Sequence, residues 1–186
     1  MHRTAGFTLL ELLGTVALAG ILLGVAAPSF RDFLLDARRT ADVNAFVLAV
    51  QVARSEAAKR SHPVILCKTR DFRHCGGNEL RFDAGWMVFT NIDGQLPPQR
   101  AEDEPMMYAH APELTGTIVG NRPFFEFRPL LRRSTNGTVV FCDERGPAAA
   151  RAVIVSYTGR PRVDRVDPEG KRSEEHTSEL QSHSFI

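Results

Sequence analysis

The chain opens with a single long apolar block. Between Phe7 and Ala27 the only ionisable side chain is Glu11, and a helix of that length rises roughly 30 Å, about the hydrocarbon thickness of a bilayer. Residues 7–29 are therefore predicted to span a membrane as the first part of an N-terminal helix, preceded by a short polar leader, residues 1–6, that carries Arg3. A carboxylate inside such a block is costly to leave unpaired, so Glu11 points to a partner cation or a special function. Gly20 and Gly24 add a small-xxx-small spacing that permits close helix approach.

Helical periodicity resumes directly after Pro28, which predicts a kink rather than an end. Phe30, Leu34, Ala37, Ala41, Ala45, Leu48 and Val52 recur at steps of three or four and predict the packed stripe of an amphipathic second half over residues 30–62. Arg31, Asp32, Arg38, Arg39, Asp42 and Arg54 fall opposite that stripe and read as solvated. Lys59 and Arg60, followed by Ser61, His62 and Pro63, supply a basic last turn and then a breaker.

From Pro63 onward the pattern changes to short β-prone runs. Val64 to Lys68, Trp86 to Thr90, Gly116 to Val119, Phe124 to Arg128, Thr138 to Phe141 and Ala152 to Tyr157 read as strands. Asn91-Ile92-Asp93-Gly94 and Asn136-Gly137 read as turns between such runs. The stretch from Leu96 to Pro112, rich in proline and acid, reads as a surface loop. The predicted class is α+β, an antiparallel β-sheet head of the simplest, meander topology with the amphipathic half of the helix on one face.

Composition limits what else the chain can contain. With 186 residues, 43% hydrophobic and 24% charged, there is room for one membrane helix and one β-rich globular head over residues 63–171. The formal net charge is +1, but residues 172–186 distort it. Arg172-Ser173-Glu174-Glu175-His176-Thr177-Ser178-Glu179-Leu180-Gln181-Ser182-His183 resembles a translated sequencing adapter and reads as a non-native tail. Residues 1 to 171 carry 22 Lys and Arg against 19 Asp and Glu, net +3. A balance that mild does not by itself imply a polyanionic partner, so such a partner has to be argued from local clustering.

Signatures of catalysis are missing from the sequence. There is no GxSxG, HExxH, P-loop or dinucleotide fingerprint, and Glu102-Asp103-Glu104 reads as a solvated charge run. Cys67, Cys75 and Cys142 form no CxxC pair and have no histidine at finger spacing, which argues against zinc. No enzyme activity and no cofactor are expected.

The start of the chain resembles a known family. Gly6-Phe7-Thr8-Leu9-Leu10-Glu11 is similar to the leader junction of type IV pilins and pseudopilins. The resemblance implies that a prepilin peptidase cuts after Gly6 and methylates the new terminus at Phe7. It also implies that Glu11, five residues into the mature chain, neutralises the terminal amine of a neighbouring subunit and fixes register between pilins. A pair of that kind is tolerated in an apolar environment where a lone ion is not.

Further pieces resemble the GspH/FimT branch of minor pilins and type II secretion pseudopilins. They are Ala53-Arg54-Ser55-Glu56-Ala57 with Lys59-Arg60, Val64-Ile65-Leu66-Cys67, Gly85-Trp86-Met87-Val88-Phe89, Gly137-Thr138 leading to Phe141-Cys142, and Val155-Ser156-Tyr157-Thr158-Gly159-Arg160-Pro161-Arg162. Their shared order covers residues 6 to 163 and implies a type IV pilin-like fold. Inserted with the short N-terminus inward, the protein would sit single-pass in the inner membrane with its head in the periplasm, and in a pilus or pseudopilus after assembly. A disulfide is permitted there. Cys67 with Cys75 closes a short loop holding Arg70, Arg73 and His74 and is preferred, while Cys67 with Cys142 stays open if their strands are neighbours.

Within the branch, Gly159-Arg160-Pro161-Arg162 separates functions. Glycine permits a sharp exit from the preceding strand, and proline stiffens the link between two guanidinium groups that can engage successive phosphates. In FimT-like minor pilins of naturally competent bacteria a GRxR element is associated with DNA binding, which implies a double-stranded DNA partner bound without sequence specificity. Arg165, Arg151, Arg132 and Arg133 join the candidate patch if the fold brings them near. Two other readings stay open: a minor pseudopilin of a type II secretion system or a pilus-priming subunit without a nucleic-acid partner, and a secreted β-protein cleaved after Val25-Ala26-Ala27.

Overall fold

A computed structural model describes residues 8–129 and 133–165. Gly6, Phe7, Arg132 and the adapter-like tail lie outside the described residues. Backbone contacts divide the chain into two units, residues 1–37 and 38–186. One 52-residue helix, α1 (Leu9–Arg60), belongs to both, and Pro28 does not end it. Between Glu11 and Arg31 the helix carries no charged residue, and its apolar side chains are exposed: Leu13, Ile21 and Leu23 are each 62–68% exposed. A helix that is hydrophobic all round needs an apolar surrounding, and by length and composition this one can cross a membrane.

The second unit carries the remainder of α1 and two antiparallel four-stranded sheets. The first has the order β3 (Met106–His110), β2 (Trp86–Thr90), β1 (Val64–Lys68), β5 (Phe124–Phe127). The second has the order β4 (Gly116–Gly120), β6 (Gly137–Asp143), β7 (Arg151–Val155), β8 (Pro161–Arg165). The expected single meander is thus corrected to two, β1-β2-β3 and β6-β7-β8, with β5 added beside β1 and β4 beside β6. α1 ends at Arg60, with Ser61 in the left-handed region (φ 58°) ahead of Pro63, a common way to stop a helix.

The inner faces of both sheets and one side of α1 share a single core. Leu66, Val88 and Phe125 meet Val139, Phe141 and Val153 across Phe46, Ala49, Val50 and Ala53 of the helix. Phe46 is fully buried and sits edge-on to four rings, Phe82, Trp86, Phe125 and Phe141, at centroid distances of 5.5–6.0 Å. β1 and β2 are buried on their other face as well, where Ile65, Cys67, Met87 and Phe89 pack with Cys75 and Phe124.

This core corrects the predicted helix face. Ala41 and Leu48 of the expected stripe are exposed, whereas Arg39 and Asp42, expected in solvent, are 4% and 1% exposed. The two buried charges are paired to the sheet ends. Arg39 donates to Asp143 at 3.1 Å and to the carbonyl of Ala149. Asp42 accepts from His110 Nε2 at 2.7 Å and from the backbone N–H of Leu114 at 2.8 Å. Hydrogen bonding from the Arg145 guanidinium, with the charge of Arg39 behind it, holds the Asp143 carboxyl below the usual carboxylate range against the opposing effect of burial.

Three local expectations also change. Met106–His110, read as loop, is the edge strand β3, half-exposed and offset by a bulge between Val88 and Phe89. Pro161–Arg165, read as a stiff exit, is the edge strand β8. Asn136-Gly137 is not a tight turn: Gly137 begins β6 and is buried, and a Cβ there would lie 2.6 Å from Asn121 Oδ1 and 2.9 Å from the Phe125 ring.

The two helix faces are separable by mutation. Phe46→Ala should lower the unfolding free energy of the full chain in micelles by about 3–5 kcal/mol, while Leu48→Ala should change it by less than about 0.5 kcal/mol. Urea denaturation followed through the fluorescence of Trp86, the sole tryptophan, measures both. A larger loss at Leu48 would restore the face that periodicity suggested.

Candidate nucleic-acid interface

The GRxR segment is built by a hairpin. The N–H of Gly159 donates to the carbonyl of Ser156 at 2.9 Å, and that of Ser156 to the carbonyl of Arg160 at 3.1 Å. Gly159 has φ +70°. This hydrogen-bond pattern, with glycine in the left-handed position, matches the three-residue hairpin loop. A side chain at Gly159 would be strained and would press on the Phe127 ring at 3.1 Å, so the glycine is required twice over.

Register then decides where each arginine goes. Val153 pairs with Val163 and Val155 with Pro161 on the core-facing side of the sheet, and Ile154 pairs with Arg162 on the outer side. Strand alternation places Arg160 and Arg162 on that same outer face, about 7 Å apart, and both are exposed. Asp164 continues the row and lies 3.9 Å from the Arg162 guanidinium. Arg165 pairs with Arg151 on the opposite face, about 17 Å along the strand from Arg160. Arg151 is half-buried and donates to the carbonyl of Ala150 at 3.0 Å. Of the arginines that the sequence grouped, Arg160 and Arg162 therefore lie toward the hairpin tip, and Arg151 and Arg165 at its far end.

Other residues complete the tip. The backbone N–H of Ser134 donates to the carbonyl of Tyr157 at 2.9 Å, and the Arg133 guanidinium lies over the Tyr157 ring at 5.7 Å. The Arg54 side chain of α1 passes 3.4 Å from the Cβ position of Gly159 and is exposed. Arg54 was missed as a site residue because its charge reads as ordinary helix solvation. Tyr157 was quoted for its place in a motif, and nothing in its spacing announced an exposed ring.

The loops over the first sheet are tied down covalently and by hydrogen bonds. Cys67 and Cys75 form a disulfide, with Cα atoms 5.6 Å apart, and Cys142 is free. The Gln99 side chain then bonds the backbone N–H and carbonyl of Cys75 at 3.2 and 3.1 Å. Among the described residues no cluster of three or more His, Cys, Asp or Glu side chains is placed to hold a metal ion.

At the other end of the chain Glu11 has a local partner. Its Oε2 accepts from both the backbone N–H and the hydroxyl of Thr8 at 2.9 Å, and its own N–H donates to the Thr8 hydroxyl at 3.3 Å. This is a capping box, and its signal, Thr-x-x-Glu, was present in the sequence.

An apolar N-terminal helix that continues into a disulfide-stapled, two-sheet head defines a pilin-like, membrane-anchored subunit. The family model described as Type II transport protein GspH matches residues 42–159, and the chain belongs to that family. Residues 1–27 match the prokaryotic N-terminal methylation motif. The fold is similar to that of the Pseudomonas aeruginosa (strain PAO1) type IV minor pilin FimU in two crystal forms. One has TM-score 0.50 at 17% identity, covering 72% of this chain and 90% of that one. The other has TM-score 0.48 at 18% identity, covering 68% and 90%. No curated protein matches the chain.

The cysteine arrangement predicts a thiol count. Maleimide labelling of the unreduced chain in denaturant should mark one thiol, Cys142, and after reduction all three cysteines. Three labelled thiols without reductant would contradict the Cys67–Cys75 bond.

Proposed function

We propose that this protein is a minor type IV pilin that binds DNA for uptake in natural transformation. In this reading prepilin peptidase cuts after Gly6 and methylates Phe7, the helix anchors the subunit in the inner membrane with its head in the periplasm, and Glu11 pairs with the terminal amine of a neighbouring pilin during assembly. The protein acts by binding and by structure, with no catalytic step.

The observation that supports DNA binding is the hairpin register, which sets Arg160 and Arg162 on one exposed face with Gly159 fixing the turn beside them. Two guanidinium groups at that repeat suit phosphates along a backbone, and contacts of this kind carry no sequence information. Double-stranded DNA is thus bound without sequence preference. Arg165 and Arg151, at the far end of the hairpin and on its other face, contribute less.

A second reading is favoured by the description of the matched family as a type II transport protein. A minor pseudopilin of a type II secretion system, or a pilus-priming subunit, uses the same anchor and the same head without a nucleic-acid partner.

Two experiments test these readings. Mass spectrometry of the protein made in a host with prepilin peptidase should show a mature chain beginning at methylated Phe7; a chain beginning at Pro28 would make it a secreted domain instead. Retardation of duplex DNA by the full chain in uncharged detergent should weaken for Arg160→Gln/Arg162→Gln, with the log-log salt slope reduced by about 0.9 per lost contact. Unchanged retardation would remove the site, and no retardation by the unaltered chain would favour the secretion reading.

A further inference from the structure

Tyr157 stands at the tip of the β7–β8 hairpin, 55% exposed, with no hydrophobic reason to be there. A ring buried by its own chain would add to the core; this one is offered to solvent beside cations. The Arg133 guanidinium covers part of it at 5.7 Å, and the hydrogen bond from Ser134 to the Tyr157 carbonyl holds the segment carrying Arg133 against the tip. Arg54 arrives from α1 next to Gly159, and Arg160 leaves the same turn. One arginine, Arg133, thus lies over the exposed ring, and two more, Arg54 and Arg160, lie beside Gly159 of the same turn.

That combination has a specific chemistry. Arginines that engage only phosphates give no preference for unpaired bases, and the bases of a duplex are stacked on each other and closed to a side chain. An aromatic ring among arginines adds a surface on which an unpaired base can stack, and such stacking tolerates any base. The planar Arg133 guanidinium, within cation–π range of the ring at 5.7 Å, can add to the same platform.

We infer that Tyr157, with Arg133, is a stacking platform for unpaired bases, so that the hairpin tip binds single-stranded DNA or the frayed end of a duplex more tightly than a closed duplex. The inference rests on the DNA reading of this face and deepens it by naming the form of DNA and the residue that selects it.

The test uses the full chain in uncharged detergent and two circular probes without ends, a single-stranded circle and the relaxed, covalently closed duplex circle of the same sequence, titrated at one salt concentration. The unaltered protein should bind the single strand more tightly. Tyr157→Ala should lower the ratio of single-strand to duplex affinity about tenfold, and Tyr157→Phe, which keeps the ring, should restore it. Arg133→Gln should lower the ratio in the same direction by a smaller factor. A ratio near one for the unaltered protein, or a ratio that Tyr157→Ala leaves unchanged, overturns the platform. The arginine variant separates this failure from that of the underlying site: Arg160→Gln/Arg162→Gln weakening both probes while Tyr157→Ala leaves the ratio alone removes only the platform, whereas an arginine variant that binds both probes normally removes the DNA site itself.

Discussion

The rotation of α1 about its own axis is the constraint on which the head depends. A helix offers several plausible apolar stripes, and this one turns the stripe of Phe46, Ala49, Val50 and Ala53 inward although doing so carries Arg39 and Asp42 inward as well. Two desolvated charges are tolerable because each has partners at a sheet end: Asp143 and the Ala149 carbonyl for Arg39, His110 and the Leu114 N–H for Asp42. Losing one partner of a buried ion pair such as Arg39–Asp143 costs about 3–5 kcal/mol, so these contacts disfavour other rotations even where they add little net stability. Phe46 then fills an aromatic socket made by both sheets, and no other face of the helix could supply a ring at that height.

The same rotation shapes the candidate interface. With Ala53 in the core, Arg54 one residue on emerges beside the hairpin tip instead of on the far side of the helix. β8 closes the second sheet with an edge strand that alternates Pro161 and Val163 against Arg162 and Asp164. Proline and charge on an edge discourage pairing with another strand, and the same alternation puts Arg162 and Asp164 on the outer face. Asp164 interrupts the arginine row after Arg162, so the cationic strip is confined to the turn end of the hairpin.

Much of this was legible in the sequence, and the failures share a cause. β1 and β2 were bounded correctly because they are buried on both faces and read as continuous apolar runs between turn residues. β3 and β8 were missed because edge strands carry the proline, acid and arginine that otherwise mark loops. The helix was found from its periodicity and breaker, yet its packed face was misassigned: Ala41 and Leu48 satisfy the three-four spacing as well as Phe46 and Val50 do, and charge at Arg39 and Asp42 masked the true face. Asn136-Gly137 misled for a related reason, since glycine there is demanded by the close approach of Asn121 and Phe125 and not by a turn. Arg160 and Arg162 were legible because the glycine before them fixes the local geometry within a few residues. Arg54 and Tyr157 depend on long-range packing that no local window contains.

The capping box at the start of the chain bears on how one acid survives in an apolar helix. Before any partner arrives, Thr8 donates two hydrogen bonds to the Glu11 carboxylate, and the positive end of the helix dipole lies beside it. Both stabilise the charged form of the carboxylate at the first turn of the helix. On the assembly reading, an incoming terminal amine does not rescue a bare charge; it displaces or joins bonds that already exist.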